Sequence, residues 1–481
     1  MLDFFANIFS RSSPRMFARP SRRVVRARYD AAVTTAENRR HWANADGLSA
    51  NAAASPEVRQ TLRNRSRYEV ANNSYARGIV LTLANDCVGT GPRLQLLADD
   101  DGNDIVETAF TDWSAEIQLA AKLRTMRMAK AVDGEAFALL VANPMLSSPI
   151  KLDVQLIEAD QIATPTMSSL QRATDGIVYD RHSNPIEYHV LRQHPGEPNI
   201  STGSQQYDIV PASSVIHWFR TDRPGQRRGV PEITPALPLF AQLRRYTLAV
   251  IAAAETAADF AAVLYTDAPA NGEAASVEPM DVVELERRMA TVLPDGWKLG
   301  QVSAEQPATT YGEFKREILN EIARCLNIPY NIAAGNSSGY NYASGRLDHQ
   351  TYYKSIRVEQ SHLASVVLDR VFSSWLSEAV LIEGFIPQSF RTIEPQQLSH
   401  QWFWDGVDHV DPAKEARAQA QRLASHTTTL AAEYARQGKD WAAELRQRAK
   451  EKQLMRELGL TNYDAMPMLP EPKEEDPDVE D

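Results

Sequence analysis

Between Leu237 and Phe260 the chain runs for 24 residues with apolar or small side chains on nearly every side, and it enters that run through Pro231, Pro235 and Pro238. Proline has no amide donor to lose, so it is tolerated at a helix entry and not inside one. The stretch reads as one helix of roughly 36 Å, at ~1.5 Å per residue. A helix without a polar face needs neighbours. Ala249, Ala252, Ala253, Ala254, Ala257 and Ala258 allow those neighbours to approach closely. A bilayer is not the expected neighbour, because Arg244, Arg245, Glu255 and Asp259 interrupt a run that would need ~20 apolar residues.

The pattern around this helix predicts an α+β chain. Pro56 opens a helical stretch of some thirty residues that ends at Gly89-Thr90-Gly91-Pro92. A strand is expected from Arg93 to Ala98, a hairpin-type turn at Asp101-Gly102, and a helical region from Ile105 to Ala131. Short β-branched and aromatic runs follow at Ala136 to Val141, Val154 to Ile157, Ile177 to Tyr179, Ile186 to Leu191 and Val215 to Phe219. Asn-Pro, Asp-Gly and Pro-Gly punctuation separates them, which predicts an antiparallel sheet packed on the helices.

Beyond the Ala-rich helix comes a compact insert from Ala261 to Tyr311, with strands near 262–265 and 297–302 and a polar helix from Pro279 to Thr291. A further helix, Glu313 to Leu326, precedes a Gly/Ser/Asn segment, Gly335 to Gly345, and a long helix from Arg346 to about Leu381. Near the end, Asp411-Pro412 opens a helix through Tyr434, Gly438 breaks it, and Asp440 caps another that stops at Gly459.

With 481 residues there is material for about three domains. Cys87 and Cys325 are the only cysteines, which gives no disulfide framework and fits a reducing compartment. The net charge of −11 hides a polarity: residues 1–80 carry +8 and residues 471–481 carry −6. Ser10 to Arg28 holds seven Arg and no acid. A solvated arm that folding does not need is the plain reading; docking on an acidic partner and a targeting segment, the latter disfavoured by Pro14 and Pro20, compete with it.

Tests for chemistry return little. Gly335-Asn336-Ser337-Ser338-Gly339 matches the G-x-S-x-G elbow with Ser337 as nucleophile, but that motif needs a strand before it and a helix directly after. Asp348, His349, Asp369 and His400 lie downstream as formal partners, so a serine hydrolase stays as an alternative. Gly438-Lys439 lacks the rest of a phosphate loop, and Gly89-Thr90-Gly91 lacks the third glycine of a dinucleotide fingerprint. The acids from Asp99 to Asp104 miss the calcium-loop spacing, and the ten histidines show no zinc pattern. No cofactor, no metal and no enzymatic activity are expected.

Several stretches, in order, resemble the portal proteins of tailed bacteriophages, specifically the lambda-type family. They are Tyr68 to Arg93, Asp133-Gly134-Glu135-Ala136-Phe137, Leu156 to Ile162, and Ile216 to Arg220 leading to Arg228-Gly229-Val230-Pro231. Leu326 to Tyr330, Gly339 to Arg346 and Val410-Asp411-Pro412 continue the series.

The resemblance implies a dodecameric ring at one capsid vertex, through which double-stranded DNA enters and leaves. Its implied partners are the terminase large subunit, the major capsid protein and scaffold, and head-tail connector proteins; its implied place is the virion, after assembly in the host cytoplasm. On this expectation residues 1–55 are a basic arm and 56–236 the wing. Residues 237–260 and 313–328 are two stem helices around a clip at 261–312. A tunnel loop spans 329–345, the long wing helix and return 346–404, a helical crown 405–460 and an acidic tail 461–481. The same resemblance makes Asn336, Ser337, Ser338, Gly339, Tyr340, Asn341 and Tyr342 candidates to meet DNA, and Ala249, Ala252, Ala253 and Ala257 candidates for packing between subunits. A mostly acidic ring cannot grip phosphates strongly, which suits a conduit better than the third reading, a sequence-specific DNA binder.

Overall fold

The computed structural model describes residues 32–97, 102–164, 173–198, 206–259, 263–266, 297–300, 310–339, 341–392, 398–406 and 412–460. The arm up to residue 31, most of 261–309, the expected helix from Pro279 to Thr291, the cap at Asp411 and the acidic segment 461–481 lie outside them.

After a single turn at Ala50–Ala53, α1 (Pro56–Asn72) and α2 (Ser74–Val88) occupy the stretch expected as one helix. Asn73 divides them. Its backbone is extended, its N–H donates to Glu69 O, and its side-chain oxygen accepts from the amides of Tyr75 and Ala76, so one residue ends α1 and caps α2. β1 (Arg93–Leu96) leads to α3 (Asn103–Glu116) and α4 (Leu119–Asp133), again two helices, separated at Gln118 with φ +55°. Of the turn expected at Asp101-Gly102, Asp101 lies outside the described residues and Gly102 stands at the start of α3, while β1 pairs with a distant strand at His400–Phe403.

The expected short strands are present as β2 (Glu135–Ala142), β3 (Leu152–Ile157), β4 (Ala173–Thr174), β5 (Ile177–Tyr179), β6 (Pro185–Leu191) and β8 (Val215–Phe219), with β7 (Tyr207–Pro211) an addition. Every pairing is antiparallel, but two sheets form in place of one, in the orders β3-β2-β8 and β4-β5-β6-β7. Phe137, Ile177, Tyr188, Val190 and Val215 fill the space they share.

The Ala-rich helix is α5 (Leu237–Asp259), within a residue of expectation. β9 (Val263–Thr266) and β10 (Trp297–Gly300) pair antiparallel in the insert, and α6 (Tyr311–Cys325) returns. α7 (Tyr330–Ala334) and α8 (Tyr342–Leu363) take both ends of the segment expected as a loop. The long helix thus starts four residues before Arg346, and a π turn at Ala364–Leu368 separates α8 from α9 (Asp369–Ala379). β11 (His400–Phe403) closes on β1. The helix expected through Tyr434 is two, α10 (Pro412–Ala424) and α11 (Leu430–Arg436); His426 at φ +56° breaks it and the Thr429 hydroxyl caps α11. α12 (Trp441–Glu457) is capped by Asp440, as expected.

Two apolar cores organise these elements. In the first, Phe110 and Trp113 of α3 meet Trp218 of β8 and Phe372 and Trp375 of α9, with Trp113 Nε1 donating to Leu152 O at 2.9 Å. In the second, Ile79 and Leu83 of α2 meet Phe240 and Leu243 of α5, Leu319 and Ile322 of α6, and Tyr352 and Ile356 of α8. Burying each such side chain contributes about 1.5–3 kcal/mol.

α12 is held to α3 by a more polar contact, where Asp104, Glu107, Asp440 and Arg446 converge. Burial pushes the Glu107 carboxyl up to about 7, against the pull of the Leu96 amide that donates to it at 2.7 Å and with the help of Asp440 and Asp104. A carboxyl raised in the fold favours its protonated form there, so its contribution is complete below the ordinary carboxylate range and is lost as pH rises toward 7. Glu107→Gln keeps an acceptor for Leu96 and removes the charge. Its melting temperature is expected to exceed wild type by about 1–2 °C at pH 8, small because the half-buried group is screened, with the gap closing toward pH 4. Thermal scans that show no pH-dependent difference contradict this account.

Candidate functional site

The Gly/Ser segment is shorter than expected. Gly335 ends α7 at φ +62°, and the Asn336 amide closes the helix end by donating to Asn331 O at 3.0 Å. Asn336 then turns the chain, its side-chain oxygen accepting from the Ser338 amide at 2.9 Å. Asn336, Ser337, Ser338, Gly339 and Asn341 are all exposed. Tyr340 and the side chain of Tyr342 lie outside the described residues.

This geometry is wrong for a nucleophile elbow, since a helix, not a strand, precedes Gly335 and α8 begins five residues after Ser337. The formal partners are engaged elsewhere: His349 faces Asn331 at 2.9 Å, and His400 pairs with Asp369 at 3.1 Å beside Phe372. The hydrolase alternative is left without support.

α5 changes character along its length. Leu237, Phe240 and Leu243 are buried in the second core, while Leu248 and Ile251 are 57% and 49% exposed. Ala249 and Ala252 are exposed beside them, Ala253 is half-buried, and the side chain of Ala257 lies outside the described residues. Tyr246 seats against Phe314 of α6, ring centroids 4.8 Å apart, and the Tyr311 hydroxyl donates to Thr247 Oγ1 at 3.4 Å. The two helices are thereby paired at their base.

What the sequence reasoning missed is a buried charge joint that sets where α5 starts. Glu135, at the head of β2, is fully buried and accepts from Arg228 Nε at 2.8 Å and Nη2 at 2.7 Å, from the Gly229 amide at 3.1 Å, and faces His217 Nε2 at 3.1 Å. Burial works against its charge, but Arg228 and His217 hold its carboxyl well below the usual carboxylate range. Burial also lowers His217, against the attraction of Glu135. Arg228 spends its other donors on the carbonyls of Ala159, Ile162 and Asp175.

From α1, Arg59 pairs with Asp175, Arg63 reaches Asp160 at 2.9 Å, and Arg67 clasps Asp133 at 2.7 and 3.0 Å. Gly134 and Gly229 lie backbone to backbone, where any Cβ would collide. Asp133-Gly134-Glu135, Leu156 to Ile162 and Arg228-Gly229, far apart in sequence, therefore meet at one place.

A second cluster lies beside the first. Glu232 is pushed down to about 2, where burial opposes its charge and Arg127, Lys130 and Arg220 outweigh burial. Arg127 donates to it at 2.9 Å, while Lys130 pairs with Glu359 of α8 and sits 4.7 Å over the Trp218 ring. The segment from Arg228 to Ala236 is thus clamped between α4, the sheet and α8 before α5 departs. Glu158, Asp160 and His194 come close enough to hold a cation, but Arg67 already pairs with both carboxylates, at 3.2 and 2.9 Å.

The family described as phage portal protein, lambda family, matches residues 36–360, and the chain belongs to that family. The chain is similar to the probable portal protein of Halomonas phage phiHAP-1, 25% identical over 434 residues, which is 84% of this chain and 82% of that one. Among solved structures it is similar to a chain in the neck of an empty gene transfer agent particle, at TM-score 0.47 and 13% identity over 77% of this chain and 91% of that chain. A chain of the native gene transfer agent virion gives TM-score 0.45 at 13% identity, over 78% and 92%.

Proposed function

We propose that copies of this chain close into a ring, with twelve as the expected number, at one vertex of a phage capsid, and that double-stranded DNA passes through it during packaging and ejection. The observation that carries the ring is the outer part of α5, where Leu248 and Ile251 stand exposed beside Ala249 and Ala252. An apolar stripe on a long helix is covered in a working protein, and a second copy of the same helix offers a matching one.

In this reading α5 and α6 are the stem, β9 and β10 belong to the clip, and residues 335–341 are the tunnel loop. The two sheets with α1–α4, α8 and α9 form the wing, and α10–α12 the crown. The terminase large subunit, the capsid protein and scaffold, and head-tail connector proteins dock on the outside. A net charge of −11 per copy keeps phosphates from binding tightly, so the duplex slides.

Light scattering and negative-stain microscopy of the purified protein test the ring. A closed oligomer is the expected result, and a well-behaved monomer at micromolar concentration overturns it.

A further inference from the structure

α12 is a 17-residue helix with no buried residue, held to the body around its start, where the Gln95 amide reaches Asp440 at 3.1 Å and Arg446 pairs with Asp104. Arg448, Lys452 and Arg456 are spaced by four and stack on one face. Arg448 has Glu451 at 3.4 Å, while Lys452 and Arg456 have no ion pair among the described residues. Like charges at this spacing repel one another, so the row gains from an anion laid along it. At the far end the chain turns off the helix axis: Gly459 adopts φ +71°, and the Leu460 amide donates to Met455 O at 2.8 Å. The sequence that follows is the most acidic in the protein, seven acids and one Lys between Glu471 and Asp481.

We infer that residues 471–481 dock on the Arg448–Lys452–Arg456 row of α12, in the same or an adjacent copy, and keep it from binding nucleic acid. Charge complementarity carries this, together with reach: the ten residues between Leu460 and Glu471 span up to ~33 Å when extended, more than the length of the row. Tethering raises the local concentration of the acidic segment to the millimolar range, which lets weak exposed pairs add up. The inference holds whether or not the chain closes into a ring.

Carbodiimide coupling of the full-length protein, read by mass spectrometry, tests it directly. Amide links from Lys452 to acids of 471–481 are expected in low salt and lost in 0.5 M salt. The N-terminal 80 residues contain no Lys and cannot mimic them. A chain lacking 471–481 is expected to retain a short duplex DNA about tenfold more tightly at 50 mM salt, an advantage that Arg448→Gln, Lys452→Gln and Arg456→Gln together remove. Links from Lys452 to other acids only, or unchanged DNA retention on deletion, overturn the inference.

Discussion

Arg228→Ala is expected to leave little folded protein. The guanidinium meets Glu135 through two of its nitrogens and also bonds three backbone carbonyls, all within a buried site. Its removal leaves a fully buried carboxylate with only His217, the Gly229 amide and Arg63 at 3.4 Å, and takes a donor from three carbonyls; breaking a buried pair in this way costs about 3–5 kcal/mol. A domain has only about 5–15 kcal/mol in total. Arg228→Lys keeps the charge but not the planar fork, and it should lie between alanine and wild type. Denaturant titration of the soluble fraction is the measurement, and a midpoint within error of wild type for Arg228→Ala would remove the joint from the account. The sign with pH follows from the two depressed groups. Glu135 and His217 each bind protons less readily in the fold than in the open chain. Their contribution is present above their ordinary values and is lost as pH falls, so the joint weakens in acid.

The second large effect is expected at the loop. Replacing residues 336–341 by two or three glycines should leave rings visible by microscopy while capsids lose full-length genomes. Asn336, Ser337, Ser338 and Asn341 offer neutral hydrogen bonds, worth about 0.5–1.5 kcal/mol each net, weak enough to be remade at every step of a moving duplex. Ser337→Ala alone should cost little. Shortened rings that package and retain DNA at wild-type levels would reduce the segment to a linker between α7 and α8.

The sequence reading recovers what local chemistry announces and misses what needs a distant partner. α5 is legible to within a residue because prolines mark its entry. β5 and β8 match their expected bounds because turn residues flank them. Asn73 and His426 divide expected single helices, since a lone polar residue that caps or turns left-handed leaves the apolar period intact around it. The β1–β11 pairing joins Leu96 to His400 across a sequence distance that no local pattern reports. In the charge joint, one signal was available: Arg59, Arg63 and Arg67 recur every four residues on α1, which stacks three cations on one face and calls for acids from elsewhere. The Gly/Ser composition exposed the loop but not its end, because Tyr342, Ala343 and Ser344 are tolerated in a first helical turn.

The π turn at Ala364–Leu368 sets the phase between the two halves of the long helix. α8, the π turn and α9 form one rod of about 57 Å, at ~1.5 Å per residue. Because a π turn holds an extra residue, the face presented downstream is rotated by about 100° relative to an unbroken helix. Tyr352 and Ile356 key the near end into the second core, and Phe372 and Trp375 key the far end into the first. One continuous helical segment thereby serves two cores that lie on differently turned faces of it.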